Sequence, residues 1–467
     1  MNFHTFQFAV FLFVVFGVFW TVARSRGKRN AVLLIASYVF YGAYGSWLLT
    51  LIVFSTFLDW WCGNKMYASD DKRVRRRFLW LSLLGNLGVL SFFKYYDWAA
   101  NGFALVSTQL GHPMVHQALI SAVPVGISFY TFQTLSYTID IYRGKMKPAR
   151  SFLDFSLFVA FFPQLVAGPI VRAADFLPQL EIQPYLDRER LHRGLYRIAL
   201  GLSKKVLIAD VLGAALVDPV FNDPGQYDGW THLLALYGFA FQIYGDFSGY
   251  SDIAIGAAIL FGIKLPENFK LPFQSRSMRE FWRRWHITLG YWLRDYVFFP
   301  LGGSKGKEPR VWFNLLATMV LVGVWHGAHG RWVLYGLFNG LLMCFERMFE
   351  RMRGGTEFTT TKFRSVVAWF LTFHAVSLSI ICVRAKDWDE FNGVAFDYGD
   401  GRITSFEALG TLAIALLLHL IPYRYYKRAQ ERICALPTEV GALLFGAVIG
   451  LVAYKVVGAT PYIYFQF

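Results

Sequence analysis

The chain has 467 residues, of which 55% are hydrophobic and 16% are charged, with a net charge of +15 and a mean hydropathy of +0.38. Soluble domains contain about 25% charged residues, so this composition excludes an ordinary soluble protein. Long uncharged runs indicate an all-α, multi-pass integral membrane protein with roughly ten to twelve spans of about 20 residues each. The excess positive charge needs no nucleic acid, because basic cytoplasmic loops beside anionic membrane lipid account for it.

The first apolar run, residues 1–23, is followed by its basic residues, Arg24, Arg26, Lys28 and Arg29. A signal peptide has the reverse order, so we predict a first span that is retained. The positive-inside rule then places these basic residues in the cytoplasm and the N-terminus outside.

Two further segments are unlike ordinary spans. Residues 161–172 contain Pro163, Gly168 and Pro169, which would break a lipid-exposed helix. Broken backbone at membrane depth is tolerated only inside protein or beside a water-filled cavity. This pattern predicts a re-entrant segment, and the charged residues at 181–193 mark a break between two halves of the chain.

Residues 264–310 are rich in arginine, lysine and aromatic side chains. Within them, residues 277–299 show helical periodicity, which predicts one amphipathic helix lying in the membrane interface. Its apolar face would carry Trp282, Trp285, His286, Leu289 and Leu293, and its polar face Arg279, Arg283 and Arg284. Glu280 is spaced to pair with either of the last two arginines.

The run at residues 311–330 contains no Asp, Glu, Lys or Arg but holds His326 in Val324-Trp325-His326-Gly327. A helix of this length crosses a bilayer, and intramembrane ionisable residues are candidates for function. The following glycine permits close backbone approach. We therefore favour a functional role for His326, whereas His286, taken alone, fits a packed core residue equally well.

Asp246 and Asp252 lie six residues apart in a stretch that we interpret as a Gly- and Ser-containing turn. They are expected either to cap a helix or pair with arginine, or to orient a catalytic histidine. The four cysteines, Cys62, Cys344, Cys382 and Cys434, match no metal or disulfide spacing. Because His326 and His329 have no nearby Cys, Asp or Glu, we predict no metal site.

The combination of motifs resembles the membrane-bound O-acyltransferases, in particular their bacterial alginate-type branch. The matching stretches are residues 123–133, 162–164, 168–170, 246–252, 266–269, 278–286, 300–303, 324–327 and the C-terminal 462–467. The resemblance implies a single acyltransferase domain over residues 1–467, with N-terminal spans at 1–120, a core at 121–345 and C-terminal spans at 346–467. It also implies a ring of tilted helices with re-entrant and interfacial helices around a central tunnel.

The resemblance assigns the catalytic role to His326 and a second signature position to His286, where many eukaryotic members have Asn. Substrate or tunnel candidates are Trp325, Trp285, Arg284, Asp246, Asp252 and Asn268. No bound cofactor is expected, and acetyl-CoA is the expected donor substrate. The implied setting is the bacterial inner membrane, with a periplasmic SGNH-type acetyltransferase and the polysaccharide synthesis machinery as partners.

The expected reaction moves an acetyl group from this cytoplasmic donor across the membrane for O-acetylation of an exopolysaccharide of the alginate or cellulose type. Two alternatives stay open within the same fold: O-acetyl transfer to peptidoglycan, and D-alanyl transfer to teichoic acid. A third is a non-enzymatic multi-pass transporter of lipid or polysaccharide. Such a transporter predicts repeated broken helices, which the sequence does not show, and no dependence on His326.

Overall fold

A computed structural model describes the chain except residues 113, 115–117, 120–122, 355–360, 400, 402–403, 456–462 and 464–467. The described residues form helices and contain no β-strand, which confirms the predicted all-α class. Contacts divide the chain into two compact units, Met1–Asp187 with Ala257–Pro266, and Arg188–Gly256 with Glu267–Phe467. The boundary at Asp187 falls inside the charged break at residues 181–193. The predicted single catalytic domain and its three parts stay predictions.

The first unit is built from long apolar helices followed by short, buried ones. Its helices are α1 Phe6–Val22, α2 Arg26–Gly42, α3 Leu48–Tyr67, α4 Lys72–Gln109, α5 Ile127–Tyr142, α6 Phe152–Ala160, α7 Phe162–Leu165 and α8 Ala173–Phe176, then a 3-10 turn at Leu177–Glu181.

The second unit begins with amphipathic α9 Arg188–Ser203 and contains three π-helical segments, Lys204–Asp210, Gly213–Val217 and Arg294–Phe298. The 3-10 turns are Pro224–Gln226 and Pro272–Gln274. The helix α11, Gly229–Leu260, belongs to this unit except for its last four residues, which belong to the first. The further α-helices of the second unit are α10 Asp218–Asn222, α12 Met278–Arg284, α13 Ile287–Leu293, α14 Glu308–His326, α15 Gly330–Met352, α16 Lys362–Ser379, α17 Ile381–Arg384, α18 Trp388–Phe396, α19 Phe406–Leu420, α20 Tyr423–Ala435 and α21 Thr438–Lys455.

Among the described residues, three helical stretches are long and apolar enough to cross a membrane: Lys72–Gln109, Lys362–Arg384 and Thr438–Lys455. The pair α19 and α20, bent by 92° between them, would be a fourth if it counts as one span. The predicted number of ten to twelve spans therefore stays a prediction. The helix predicted for residues 311–330 ends at His326, because Gly327 is extended (φ −165°, ψ 162°).

The proline-broken segment at residues 161–172 behaves as predicted in its backbone. The helix α6 ends at Ala160, and the four-residue helix α7 follows at once with Pro163 in its first turn. The side chains from Phe161 to Val171 are buried. Two polar contacts satisfy the broken backbone: Ser37 Oγ accepts from the Phe162 N–H at 3.0 Å, and Gln164 Nε2 donates to the Phe158 carbonyl at 2.6 Å. The depth of this segment in a membrane stays a prediction.

The prediction of a single amphipathic helix over residues 277–299 is wrong. The chain forms α12, breaks at Trp285 and His286, forms α13 and ends in a π-helical segment. His286 is the reason, because it adopts the left-handed region (φ 42°, ψ 52°), which no α-helix contains. The predicted pair within α12 is confirmed, since Arg284 lies 2.6 Å from Glu280.

Candidate active site

His326 is the last residue of α14 and lies between two indole rings. The Trp325 ring centroid is 4.7 Å from the His326 centroid, and the Trp332 ring stacks on the imidazole at 5.2 Å with an interplanar angle of 17°. Both tryptophans are buried, whereas His326 is half-buried. The imidazole is therefore fixed between aromatic walls but still reachable.

The approach of α15 to α14 depends on glycines, as the sequence indicated for Gly327. A Cβ atom at Gly327 would overlap the Trp332 indole, and one at Gly323 would overlap the Trp332 carbonyl. On the facing helix, a Cβ at Gly336 would overlap the Met319 carbonyl. Small residues let two backbones come this close, and here they set Trp332 against His326.

His286 lies at the break between α12 and α13 and is 2% exposed. A non-glycine residue in the left-handed region costs about 1–3 kcal/mol, and such strain clusters at functional sites. Neither seven-residue helix spans a membrane. Burial lowers the pKa of His286 to about 3, so this ring is neutral near pH 7.

Asn268, predicted as a substrate or tunnel residue, contacts His286 instead of projecting into open space. Its side-chain oxygen lies 3.2 Å from His286 Nδ1 and also accepts from the Thr288 N–H at 3.3 Å and the Thr288 hydroxyl at 2.9 Å. Asn268 is fully buried. The structure thus brings this predicted residue to a predicted histidine, although eighteen positions separate them.

Both histidines line one cavity within the second unit. Trp325 connects the two imidazoles, because its ring is also 6.2 Å from that of His286. The other lining residues are mainly apolar or aromatic: Ala240, Ile243, Asp246, Phe247, Phe273, Phe281, Trp285, Trp332, Tyr335, Val376, Ile380 and Val383. The arrangement places two imidazoles in a largely apolar chamber.

Asp246 and Asp252 lie inside the long helix α11, so the predicted turn is wrong. The helix continues on both sides of this stretch through buried apolar residues, among them Phe239, Ala240, Ile253 and Ala254. Asp252 pairs with Arg197 at 2.8 Å and with Lys204 at 2.7 Å, which is the predicted pairing with arginine. Of the two aspartates, Asp246 is the one that lines the cavity.

The carboxylate of Asp246 is held by two donors. Its Oδ1 lies 2.6 Å from Lys205 Nζ, and its Oδ2 accepts from the Ile463 N–H at 2.8 Å. Ile463 is the one residue of the predicted C-terminal motif at 462–467 that lies within the described residues. Asp246 therefore lines the cavity and at the same time binds the buried Lys205 ammonium group and the backbone of Ile463.

The two remaining candidates differ in their position. Trp285 lines the cavity and stacks on Phe281 with centroids 5.7 Å apart. Arg284 is engaged by Glu280 and is not among the lining residues. A substrate role for Arg284 stays a prediction.

Sequence reasoning missed three residues: Trp332, Tyr335 and Lys205. Trp332 and Tyr335 line the cavity, and both lie within ten residues of His326. Lys205 is buried beside Leu202, Val206 and Ala209. A lysine inside such an apolar pattern was the available signal, because buried charges are almost always paired.

In the part of the chain that the structure describes, no three His, Cys, Asp or Glu side chains group as metal ligands do. His329, the possible second ligand, is exposed at the start of α15. The four cysteines are buried and unbonded to one another. The expectation that no metal is bound stays a prediction.

Comparison with known proteins agrees with the geometry. A profile of the membrane-bound O-acyltransferase family matches residues 33–384. The chain is 33% identical to a probable alginate O-acetylase of Pseudomonas putida over 98% of its length and 99% of the relative's. It is 32% identical to a peptidoglycan O-acetyltransferase of Helicobacter pylori (84% of this chain, 79% of the relative). A teichoic acid D-alanyltransferase of Bacillus subtilis is 30% identical over 59% of this chain and 73% of its own length.

Proposed function

Because the chain belongs to the membrane-bound O-acyltransferase family, we propose that it carries an acetyl group from a cytoplasmic donor across the bacterial inner membrane for O-acetylation of an exopolysaccharide. Membership makes the chain a multi-pass membrane enzyme that transfers an acyl group. The proposed donor is acetyl-CoA, and the proposed polymer is of the alginate or cellulose type. One observation carries the proposal: His326 and His286 line the same aromatic cavity.

This cavity suits acyl transfer from a thioester to a hydroxyl. A neutral imidazole takes the proton of the attacking hydroxyl while the hydroxyl oxygen bonds to the thioester carbonyl carbon. The carbon–sulfur bond then breaks, the CoA thiolate leaves, and the imidazolium returns the proton to it. We assign the base to His326. In the alternative route His326 is the nucleophile: its ring nitrogen attacks the thioester carbon, the CoA thiolate leaves and takes the ring N–H proton, and the acceptor hydroxyl then takes the acetyl group from the acyl-histidine and leaves its proton on the imidazole. The surrounding tryptophans exclude water, which would otherwise hydrolyse the thioester.

The proposed orientation follows the basic loops. Arg24, Arg26, Lys28 and Arg29 face the cytoplasm, and the N-terminus lies in the periplasm. An acetyl group delivered to the periplasmic side needs an acceptor hydroxyl there. We propose an exported SGNH-type transferase as the immediate partner, acting with the polysaccharide synthesis machinery.

Acetyl transfer is favoured over D-alanyl transfer by the extent of similarity. The alginate O-acetylase of P. putida matches nearly the whole chain, whereas the D-alanyltransferase of B. subtilis matches 59% of it. Peptidoglycan as the polymer is the second candidate, because the H. pylori relative matches 84% of the chain.

The proposal is tested with purified protein reconstituted in sealed vesicles. Acetyl-CoA carrying a radiolabelled acetyl group is supplied on the side of the basic loops, and label is followed to a hydroxyl acceptor enclosed on the other side. Wild-type protein is expected to transfer label, and His326→Ala to transfer none while remaining folded. His329→Ala, three residues away and exposed, is the matched control and should stay active.

Full transfer by a stably folded His326→Ala protein would exclude the catalytic assignment to His326. Label transfer from a D-alanyl carrier-protein thioester, but not from acetyl-CoA, would replace the proposed donor.

A further inference from the structure

We infer that Asn268 is a positioning residue that fixes both the tautomer and the ring orientation of His286. This inference rests on the proposed function only in assigning His286 to the reacting cavity. Its structural basis is the set of hydrogen bonds around one amide oxygen.

The identity of that amide oxygen follows from its partners. The Thr288 backbone N–H can only donate, and it points to the same Asn268 atom, at 3.3 Å, that His286 Nδ1 approaches at 3.2 Å. The atom must therefore be oxygen, which only accepts. His286 Nδ1 must then carry the proton. In a neutral imidazole the other nitrogen, Nε2, is left as the proton acceptor.

The backbone around Asn268 stabilises the break between α12 and α13. The Asn268 carbonyl accepts from the Ile287 N–H at 2.9 Å, and the Lys270 N–H donates to the Arg284 carbonyl at 2.9 Å. These two bonds flank His286 on both sides. They explain how a left-handed histidine persists, because strained backbone survives only where its surroundings over-determine it.

The amide nitrogen of Asn268 also has a hydrogen-bond partner. Asn268 Nδ2 donates to Ser251 Oγ at 3.3 Å on α11, the helix that also supplies Asp246 to the cavity. The Phe247 ring meets the imidazole edge-on at 4.8 Å, which further limits its rotation. Asn268 therefore ties the orientation of His286 to the cavity wall.

The tautomer matters because only an unprotonated nitrogen can accept a proton or a hydrogen bond from a substrate. General-base and hydrogen-bond assistance by one side chain contributes about 10²- to 10⁴-fold to the rate. Leucine at position 268 has a similar size but no acceptor. We expect Asn268→Leu to lower kcat at least about tenfold while KM changes less than about twofold.

Asn268→Asp separates a chemical role from mere packing. A carboxylate keeps the acceptor for Nδ1–H, so the tautomer and much of the activity should survive. It also stabilises the imidazolium and raises the pKa of His286 from its low value of about 3. Because only the neutral ring offers Nε2 as an acceptor, kcat of Asn268→Asp should fall more steeply than kcat of wild type as the pH is lowered.

The experiment uses the full chain in lipid with ¹³C,¹⁵N-labelled histidine, and the His286 signals are assigned by their loss in His286→Asn. Solid-state NMR is expected to show the Nδ1–H tautomer in wild type and Asn268→Asp, and a mixture in Asn268→Leu. Asn339→Leu, at an equally buried asparagine whose amide donates to the Tyr335 carbonyl, is the control and should change neither tautomer nor pH profile.

An Nε2–H tautomer in wild type, or an unaltered tautomer in folded Asn268→Leu, would overturn the inference. Either result leaves the proposed function intact if His326→Ala is still inactive. Conversely, an active His326→Ala protein would defeat the proposed function without altering the tautomer measurement.

Discussion

The Trp332 indole lies flat against the His326 imidazole, with ring centroids 5.2 Å apart and an interplanar angle of 17°. This stack exists because Gly327 has no Cβ to occupy the same space. The motif Trp325-His326-Gly327 therefore determines how the site packs as well as which side chain can react. The glycine admits a tryptophan from the next helix, and that tryptophan orients the histidine.

The first prediction concerns Gly327. Gly327→Ala should displace the Trp332 indole and lower the initial rate of acetyl transfer at least about tenfold, because His326 loses one wall of its site. Overpacking of this kind costs about 1–3 kcal/mol of stability, which a thermal unfolding scan in detergent would detect. Gly446→Ala, where a Cβ meets nothing within 4 Å, is the control. An active Gly327→Ala protein would show that the stack is dispensable.

The second prediction concerns the left-handed backbone at His286. Asn is enriched in this region, whereas β-branched residues there are strained. His286→Asn should therefore unfold within a few degrees of wild type, and His286→Val at a clearly lower temperature. His286→Asn should also keep more transfer activity than His326→Ala. Equal unfolding temperatures for the Asn and Val variants would mean that the backbone at this position relaxes freely.

The third prediction concerns the pair Lys205 and Asp246, whose side chains are both 2% exposed. Removing one partner of a buried ion pair costs about 3–5 kcal/mol, because the other charge is left uncompensated. Lys205→Met should destabilise the protein strongly, and the double change Lys205→Met with Asp246→Leu should recover part of the loss. Chemical denaturation of single and double variants measures this coupling, and strictly additive effects would argue against it.

The fourth prediction concerns the 92° bend between α19 and α20. Gln274 Nε2 donates to two carbonyls at this bend, those of His419 at 2.7 Å and Ile421 at 3.0 Å. Gln274→Glu replaces the donor by an acceptor that faces both carbonyls. Leaving such groups unsatisfied costs about 1–3 kcal/mol, so the unfolding temperature should fall. The exposed substitution Gln109→Glu should leave it unchanged.

Much of this site is predictable, because it depends on local sequence. Uncharged runs predict helices, and Pro163 with Gly168 and Pro169 predicts the broken segment. The scarcity of ionisable groups around His326 makes it stand out within its run. Each of these signals acts over a few neighbouring residues, so the sequence alone determined the all-helical class, the breaks at prolines and the main candidate histidine.

Only the tertiary structure decided the conformations that depend on residues distant in the sequence. Helical periodicity favours one helix through residue 286, but hydrogen bonds to Asn268, eighteen positions earlier, hold His286 in a conformation that ends it. The glycine and serine beside Asp246 favour a turn, yet Lys205 lies 41 positions away and meets this carboxylate inside a helix. Periodicity records which face of a segment is apolar. It does not record which buried polar group elsewhere in the chain will pair with a side chain. The pairing of His286 with Asn268 and of Asp246 with Lys205 holds His286 and Asp246 at the cavity.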